Sequence, residues 1–264
     1  MKQNFKLTIA YDGSRYHGWE AKPDEEMTIQ GKLAQVLEKM ERMPEGKVKM
    51  PVKAPGKTAK TPVKVIGAGR TDAGVHAKGM TANVHLETER SAEEIRDYLN
   101  RYLPEDICVR EVRQVSERFH SRYHAVGKTY CYTCYVGPLK PVFNRKYVYV
   151  LESMPEIEKM RRAAEYLEGT HDFASFCGNP GMKKSTVRTL EAIEISQNGS
   201  YLNFTFHGNG FLQHMVRILV GTLLEVGYGR RTPESMAELL AEKKRALAGF
   251  TAPAQGLCLM KVDY

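Results

Sequence analysis

The chain has 264 residues, 42% of them hydrophobic and 27% charged, enough to bury a full core and to point to two domains rather than one. No apolar run approaches a membrane span, and the N-terminal residues run straight into a strand, so a soluble cytoplasmic protein without an export signal or membrane partner is expected. Thirty-nine Lys and Arg against 31 Asp and Glu give a net charge of +8, which favours a polyanionic partner through phosphate contacts, and five scattered cysteines argue against a disulfide framework.

In chain order, Leu7, Ile9 and Tyr11 form one face of a first strand that Asp12-Gly13 ends. Thr28 then caps a helix carrying Ile29, Leu33, Val36, Leu37 and Met40 on one stripe. Residues 45–62 interrupt the pattern with Lys47, Lys49, Lys53, Lys57 and Lys60 among prolines. That composition reads as a basic excursion, either a tethered phosphate-binding arm or a plain loop insertion. Val63, Val65 and Gly67 alternate with Lys64, Ile66 and Ala68, and Met80, Ala82, Val84 and Leu86 with Thr81, Asn83 and His85, so two strands flank residues 68–79. Ser91-Ala-Glu-Glu94 is a capping box for a helix with Ile95, Leu99 and Leu103 inward, and Ile107 and Val109 open another strand.

The second half follows a similar plan. Tyr130 to Val136 reads as a strand, Ile157, Met160, Ala164 and Leu167 as a helix, and Ile193 and Ile195, then Leu202, Phe204 and Phe206, as two strands. After Gly208-Asn-Gly210 comes a helix with the stripe Phe211, Met215, Ile218, Leu219, Leu223 and Val226; Thr232-Pro233 begins another, and residues 257–262 close with a strand. The order strand, helix, strand, strand, helix, strand defines an α+β fold with helices on one side of antiparallel or mixed sheets. Two halves, 1–114 and 115–264, are expected to leave a cleft between them, a common place for a ligand.

The segment Gly67-Ala-Gly-Arg-Thr-Asp-Ala-Gly-Val-His-Ala77 puts one carboxylate, Asp72, in a glycine-rich strand connection beside Arg70 and His76. Gly67, Gly69 and Gly74 permit positive φ and close backbone approach. Gly67-x-Gly69 has the first spacing of a dinucleotide fingerprint, but Asp72 stands at the third glycine position and a strand follows, and a carboxylate there would repel pyrophosphate. On composition alone, an ordinary Asx-turn with Arg70 as a surface charge is the better reading of the segment. Cys131-x-x-Cys134 lies in a strand, where residues three apart face opposite ways, so both cysteines read as structural rather than as metal ligands. Arg217 is odd, a guanidinium next to Ile218 in an apolar stripe. Either it snorkels, or it pairs with an anion for which Asp72 is the natural candidate.

Gly69-Arg-Thr-Asp-Ala-Gly-Val-His-Ala77, Tyr11-Asp-Gly-x-x-Tyr-x-Gly-Trp19, Thr28-Ile-Gln-Gly31, Gly210-Phe-Leu-x-x-Met-Val-Arg217 and Val220-Gly-Thr-Leu-Leu-Glu-Val-Gly227 resemble, in the family order and over nearly the whole chain, the tRNA pseudouridine synthase A (TruA) family. The resemblance implies two RNA-recognition-like halves around a basic cleft, a homodimer, no cofactor, and isomerisation of uridine to pseudouridine in the anticodon stem-loop of tRNA. By the same resemblance Asp72 is the catalytic aspartate, Tyr130 the active-site tyrosine, Arg217 the aspartate's partner and Arg70 the residue that helps extrude the nucleotide. Leu257 lines the uracil pocket, and Thr71 and His76 complete the substrate-binding set. Three features depart from the family pattern: Glu20-Ala21 where a glutamine-containing pair is common, Ile218 where asparagine often follows the arginine, and a longer excursion at 45–62.

Overall fold

A computed structural model describes residues 2–21, 27–42 and 62–264. Apart from Pro62, the basic excursion lies outside the described residues. The chain divides into two compact units, Met1–His124 and Ala125–Tyr264.

In the first unit the elements are β1 (Lys2–Tyr11), α1 (Ile29–Arg42), β2 (Val65–Gly67), β3 (His76–Glu87), α2 (Ala92–Tyr102) and β4 (Ile107–Val115). β1 pairs antiparallel with both β4 and β3, and β3 pairs antiparallel with β2, giving the order β4-β1-β3-β2. The helices form where expected. Thr28 Oγ1 accepts the Gly31 N–H at 3.2 Å, and Ser91 with Glu94 makes the complete capping box. All five residues of the α1 stripe are buried, and α1 touches α2, so the two helices share a face of the sheet.

Alternation gave β3 one buried face, yet Thr81 and Asn83 are buried as deeply as Met80 and Ala82. The second face is covered by residues 116–121. Asn4 Nδ2 donates to the Ser116 and Phe119 carbonyls, Asn83 Nδ2 donates to Asn4 Oδ1, and Asn83 Oδ1 accepts the Ser121 N–H at 3.0 Å. Buried amides satisfied in this way belong to the fold although no hydrophobic pattern announces them.

The second unit repeats the order. It consists of β5 (Gly127–Tyr135), β6 (Tyr149–Val150), α3 (Ile157–Glu165), β7 (Gly169–Asp172), β8 (Val187–Asn198), β9 (Tyr201–Gly208), α4 (Met215–Gly227), α5 (Ser235–Glu242) and β10 (Leu257–Asp263). The strands run β10-β5-β9-β8-β7, all antiparallel, with β6 parallel to the end of β5. With β6, β7 and α5 set aside, both units read strand, helix, strand, strand, helix, strand, with the last strand beside the first. The fold is therefore α+β with a mostly antiparallel sheet and five α-helices among the described residues.

Two boundaries differ from the sequence reading. Phe211 lies outside α4, because His214 takes a left-handed backbone (φ 59°) and the helix starts only at Met215. α5 starts at Ser235, two residues after Pro233, behind a turn in which the Ser235 hydroxyl donates to the Thr232 carbonyl. α4 is buried on nearly every side rather than along one stripe, which is why it carries so few charges.

Candidate active site

In the first unit, Asp72, Ala73, Gly74 and Val75 form a turn closed by the Val75 N–H on the Asp72 carbonyl (3.2 Å), and Gly74 takes φ +78° at its third position. A side chain there would be strained, so the glycine after Asp-Ala is required by the turn. Asp72 is half-buried and Arg70 exposed.

The loop rests on Tyr11–Trp19. Tyr11 Oη and Thr71 Oγ1 share a buried hydrogen bond of 2.8 Å, the Trp19 N–H donates to the Thr71 carbonyl (3.1 Å), and the Gly74 N–H donates to the Tyr16 carbonyl (3.3 Å). Gly18 has φ +101°, and a Cβ on it would stand 2.6 Å from the Thr71 oxygen; one on Gly67 would stand 2.5 Å from Trp19 Nε1. The glycine at 67 thus makes room for the indole, with no positive φ, and among 67, 69 and 74 the left-handed backbone belongs to Gly74.

His76 is buried beneath the loop. Its Nδ1 accepts the Gly13 N–H at 3.0 Å, which places a lone pair on that nitrogen. Asp12 Oδ1 lies 3.2 Å from the same atom and accepts the Ser14 N–H and hydroxyl. Tyr16 is braced from below, its hydroxyl donating to Asp106 (2.6 Å); burial, with help from that bond, pushes the phenol up to about 12. Gln30 ties the start of α1 to the same frame, its amide donating to the Val65 carbonyl and accepting the Ala21 N–H, both at 2.7 Å. Above the frame, Arg70 pairs with Glu20, the first exposed and the second half-buried.

In the second unit the proposed residues stand on regular elements. Tyr130, 7% exposed, lies on β5 between Phe206 on β9 and Leu259 on β10, and its ring meets Phe211 edge-on at 5.0 Å. Leu257 opens β10 opposite Tyr132 and is buried. Arg217 sits in the first turn of α4, half-buried, with Nε donating to the Ala252 carbonyl at 2.7 Å while the Ala252 N–H donates back to the Arg217 carbonyl. That anchor depends on close packing. A Cβ on Gly221 would stand 1.9 Å from the Phe250 oxygen, and Thr222 Oγ1 accepts the Gly249 N–H at 3.0 Å. Tyr132, beside Arg217, donates to the Pro253 carbonyl (2.8 Å); burial pushes its phenol well above the ordinary range, only partly opposed by the guanidinium.

Arg70, Thr71 and Asp72 therefore come together in one loop with His76 at the start of β3 beneath it, and Tyr130, Leu257 and Arg217 on the adjoining elements β5, β10 and α4. Cys134 is buried while Cys131 is partly exposed, as alternation requires, and both are free thiols. Among the described residues no group of His, Cys, Asp and Glu has the makings of a metal site, and no helix is long and apolar enough to cross a membrane.

Sequence reasoning did not find the working parts of Tyr11–Trp19 or of 248–252. The glycine and aromatic spacing in the first is a usable signal once the loop it supports is known. The second acts through carbonyl groups, which every residue has.

The first unit thus holds a half-buried carboxylate in a glycine-shaped loop, and the second holds a half-buried guanidinium anchored to a main-chain carbonyl. The family model described as tRNA pseudouridine synthase matches residues 7–124 and 163–264, and the chain belongs to that family. Proteins named tRNA pseudouridine synthase A are similar over essentially their full lengths. The one from Bacillus sp. (strain KSM-64) is 42% identical over 261 residues, covering 99% of each chain. That from Clostridium kluyveri is 40% identical over 262 residues, covering 99% of this chain and 100% of its own, and that from Moorella thermoacetica is 40% identical over 260 residues, covering 98% of both.

Proposed function

We propose that this protein is an isomerase that converts uridine to pseudouridine in the anticodon stem-loop of tRNA, working in the cytoplasm as a homodimer of chains with two RNA-recognition-like halves around a basic cleft. The observation that carries the reading is the Asp72 turn. A carboxylate kept half-exposed on a frame of conformationally required glycines and buried hydrogen bonds is built to meet a ligand, since an ordinary surface Asx-turn needs no such support.

The reaction breaks the bond from ribose C1′ to uracil N1, turns the base while it is held, joins C1′ to C5, and releases the C5 proton as N1 gains one. No electrons are exchanged and no group is lost, so no redox cofactor is called for. Asp72 is the nucleophile or base. Arg217, fixed through Nε, is the cation that orients the carboxylate, its planar fork suited to two-point contact. The target nucleotide leaves the RNA stack at a cost of roughly a few kcal/mol, offset by contacts from Arg70 and stacking on Tyr130, which also takes part in moving the C5 proton. Leu257 lines the uracil pocket. Thr71 and His76 serve the substrate through the loop they hold, and residues 45–62 add phosphate contacts.

The test is to treat unmodified tRNA with the purified protein and map pseudouridine along it. Multiple-turnover formation confined to the anticodon arm is expected; no pseudouridine anywhere in the tRNA contradicts the assignment.

A further inference from the structure

Residues 116–124 play no part in the site described above, yet they are fastened with unusual care to the face of the first unit's sheet opposite Leu7 and Ile9. Besides the bonds from Asn4 and Asn83, the Ser121 hydroxyl donates to the carbonyl of Ile66, on the strand that leads into the Asp72 loop, and Ser121 and Asn83 are fully buried. A solvated connection between two units needs no such anchorage.

The anchored segment carries on its outer side Arg118, His120, Arg122, Tyr123 and His124, with one acidic residue, Glu117, at its edge. Tyr123 is 77% exposed, which leaves most of an aromatic ring in water. It is nevertheless held in place. The His120 ring stacks on it at 4.2 Å with planes 28° apart, and His120 Nδ1 accepts the backbone N–H groups of both Arg122 (3.2 Å) and Tyr123 (3.3 Å). His124 Nδ1 in turn accepts the His120 N–H at 3.3 Å, and its ring meets Phe119 edge-on. Lys6 lies over the Phe119 ring, 5.7 Å from its centre. Burial, together with the charge of Arg122, keeps the His120 imidazole below its ordinary range, consistent with an acceptor Nδ1. An apolar protein partner would be met by aliphatic side chains; here the exposed groups are an ordered aromatic ring and guanidinium groups.

We infer that residues 118–124 form a second RNA-contact surface, in which Tyr123 stacks on an unpaired nucleotide of the bound tRNA and Arg122 meets its phosphate. The inference rests on the tRNA reading above and extends it to nucleotides other than the isomerised uridine. Stacking between a base and an ordered aromatic ring tolerates any base and needs an unpaired one, while a phosphate contact adds salt dependence. Pre-ordering by His120 removes part of the conformational cost of binding.

The experiment measures the affinity of the full-length protein for tRNA, for single-stranded oligouridylate and oligoadenylate, and for a duplex RNA of equal length, beside pseudouridine formation at saturating tRNA. Tyr123→Ala is expected to weaken tRNA and both single strands about tenfold and the duplex about twofold or less, with Tyr123→Phe within about twofold of the parent throughout. Arg122→Gln is expected to weaken tRNA and lower the slope of log affinity against log salt by about 1. Because both side chains are exposed, the thermal transition should stay in place and serve as the folding control. Unchanged single-strand and tRNA affinity in Tyr123→Ala overturns the inference, as does equal loss on the duplex, or loss only of self-association, which would mark a surface between copies. If the parent binds tRNA through Tyr123 but makes no pseudouridine, the isomerase reading fails and this surface stands; if it makes pseudouridine and Tyr123→Ala binds normally, the reverse holds.

Discussion

The two units share one connectivity and use it differently. In the first, the carboxylate proposed for the chemistry comes from a connection between strands, and its position is set by backbone: the positive φ of Gly74 and Gly18, and carbonyls and N–H groups meeting at Thr71, Tyr16 and Gly13. In the second, Tyr130, Leu257 and Arg217 project from two strands and a helix, and what positions them is packing, above all the close approach of α4 to residues 249–252. A loop can be shaped around one residue without disturbing the core, whereas groups placed on core elements share the fate of the core.

That difference is open to a direct contrast between two glycine substitutions. Gly221→Ala puts a methyl group against the Phe250 oxygen inside the second unit; it should cost ~3 kcal/mol or more of stability and loosen the Arg217 anchor at Ala252. Gly18→Ala meets the Thr71 oxygen and a disfavoured φ, which should cost about 2 kcal/mol, with activity falling far more than stability because the Asp72 loop is displaced. Denaturant titrations beside turnover at a temperature where both variants stay folded check the pair. Equal ratios of activity loss to stability loss would erase the distinction between loop and core.

Glu20 holds Arg70 in a solvent-accessible ion pair. Such pairs contribute little stability, about 0–1 kcal/mol, so Glu20→Gln should leave the unfolding midpoint nearly unmoved. It should tighten tRNA binding by about two- to fivefold by freeing Arg70 and removing a negative charge from the RNA side. Binding measured across salt concentrations tests this, and an unchanged affinity would mean that the pair does not compete with RNA.

Most of the architecture was legible in the sequence because periodicity reports burial, and burial decides which face of α1, α2, β5 or β9 turns inward. The pattern misled where burial was not apolar or where one residue broke the helix geometry. Asn83 is buried by hydrogen bonds rather than by hydrophobicity, and Phe211 continues the apolar stripe of α4 but is cut off by the left-handed His214. At the site, Asp72 stood out because glycine, turn and charge coincide within a few residues. The frame beneath it did not, since Tyr11, Gly13 and Trp19 meet that loop only after the chain has passed through α1. The oddness of Arg217 was visible as a charge in an apolar stripe, but its anchor is a main-chain carbonyl at Ala252, which no side-chain pattern can reveal.

In the proposed reaction the glycine-framed loop presents Asp72 to a tRNA uridine. Tritium release from C5-labelled uridine in tRNA by Asp72→Asn, measured beside tRNA affinity, tests it most directly. The expected result is affinity within about threefold of the parent and tritium release reduced by more than about a thousandfold, since the amide keeps the shape and removes the nucleophile. Substantial residual release with intact binding would take Asp72 out of the chemistry.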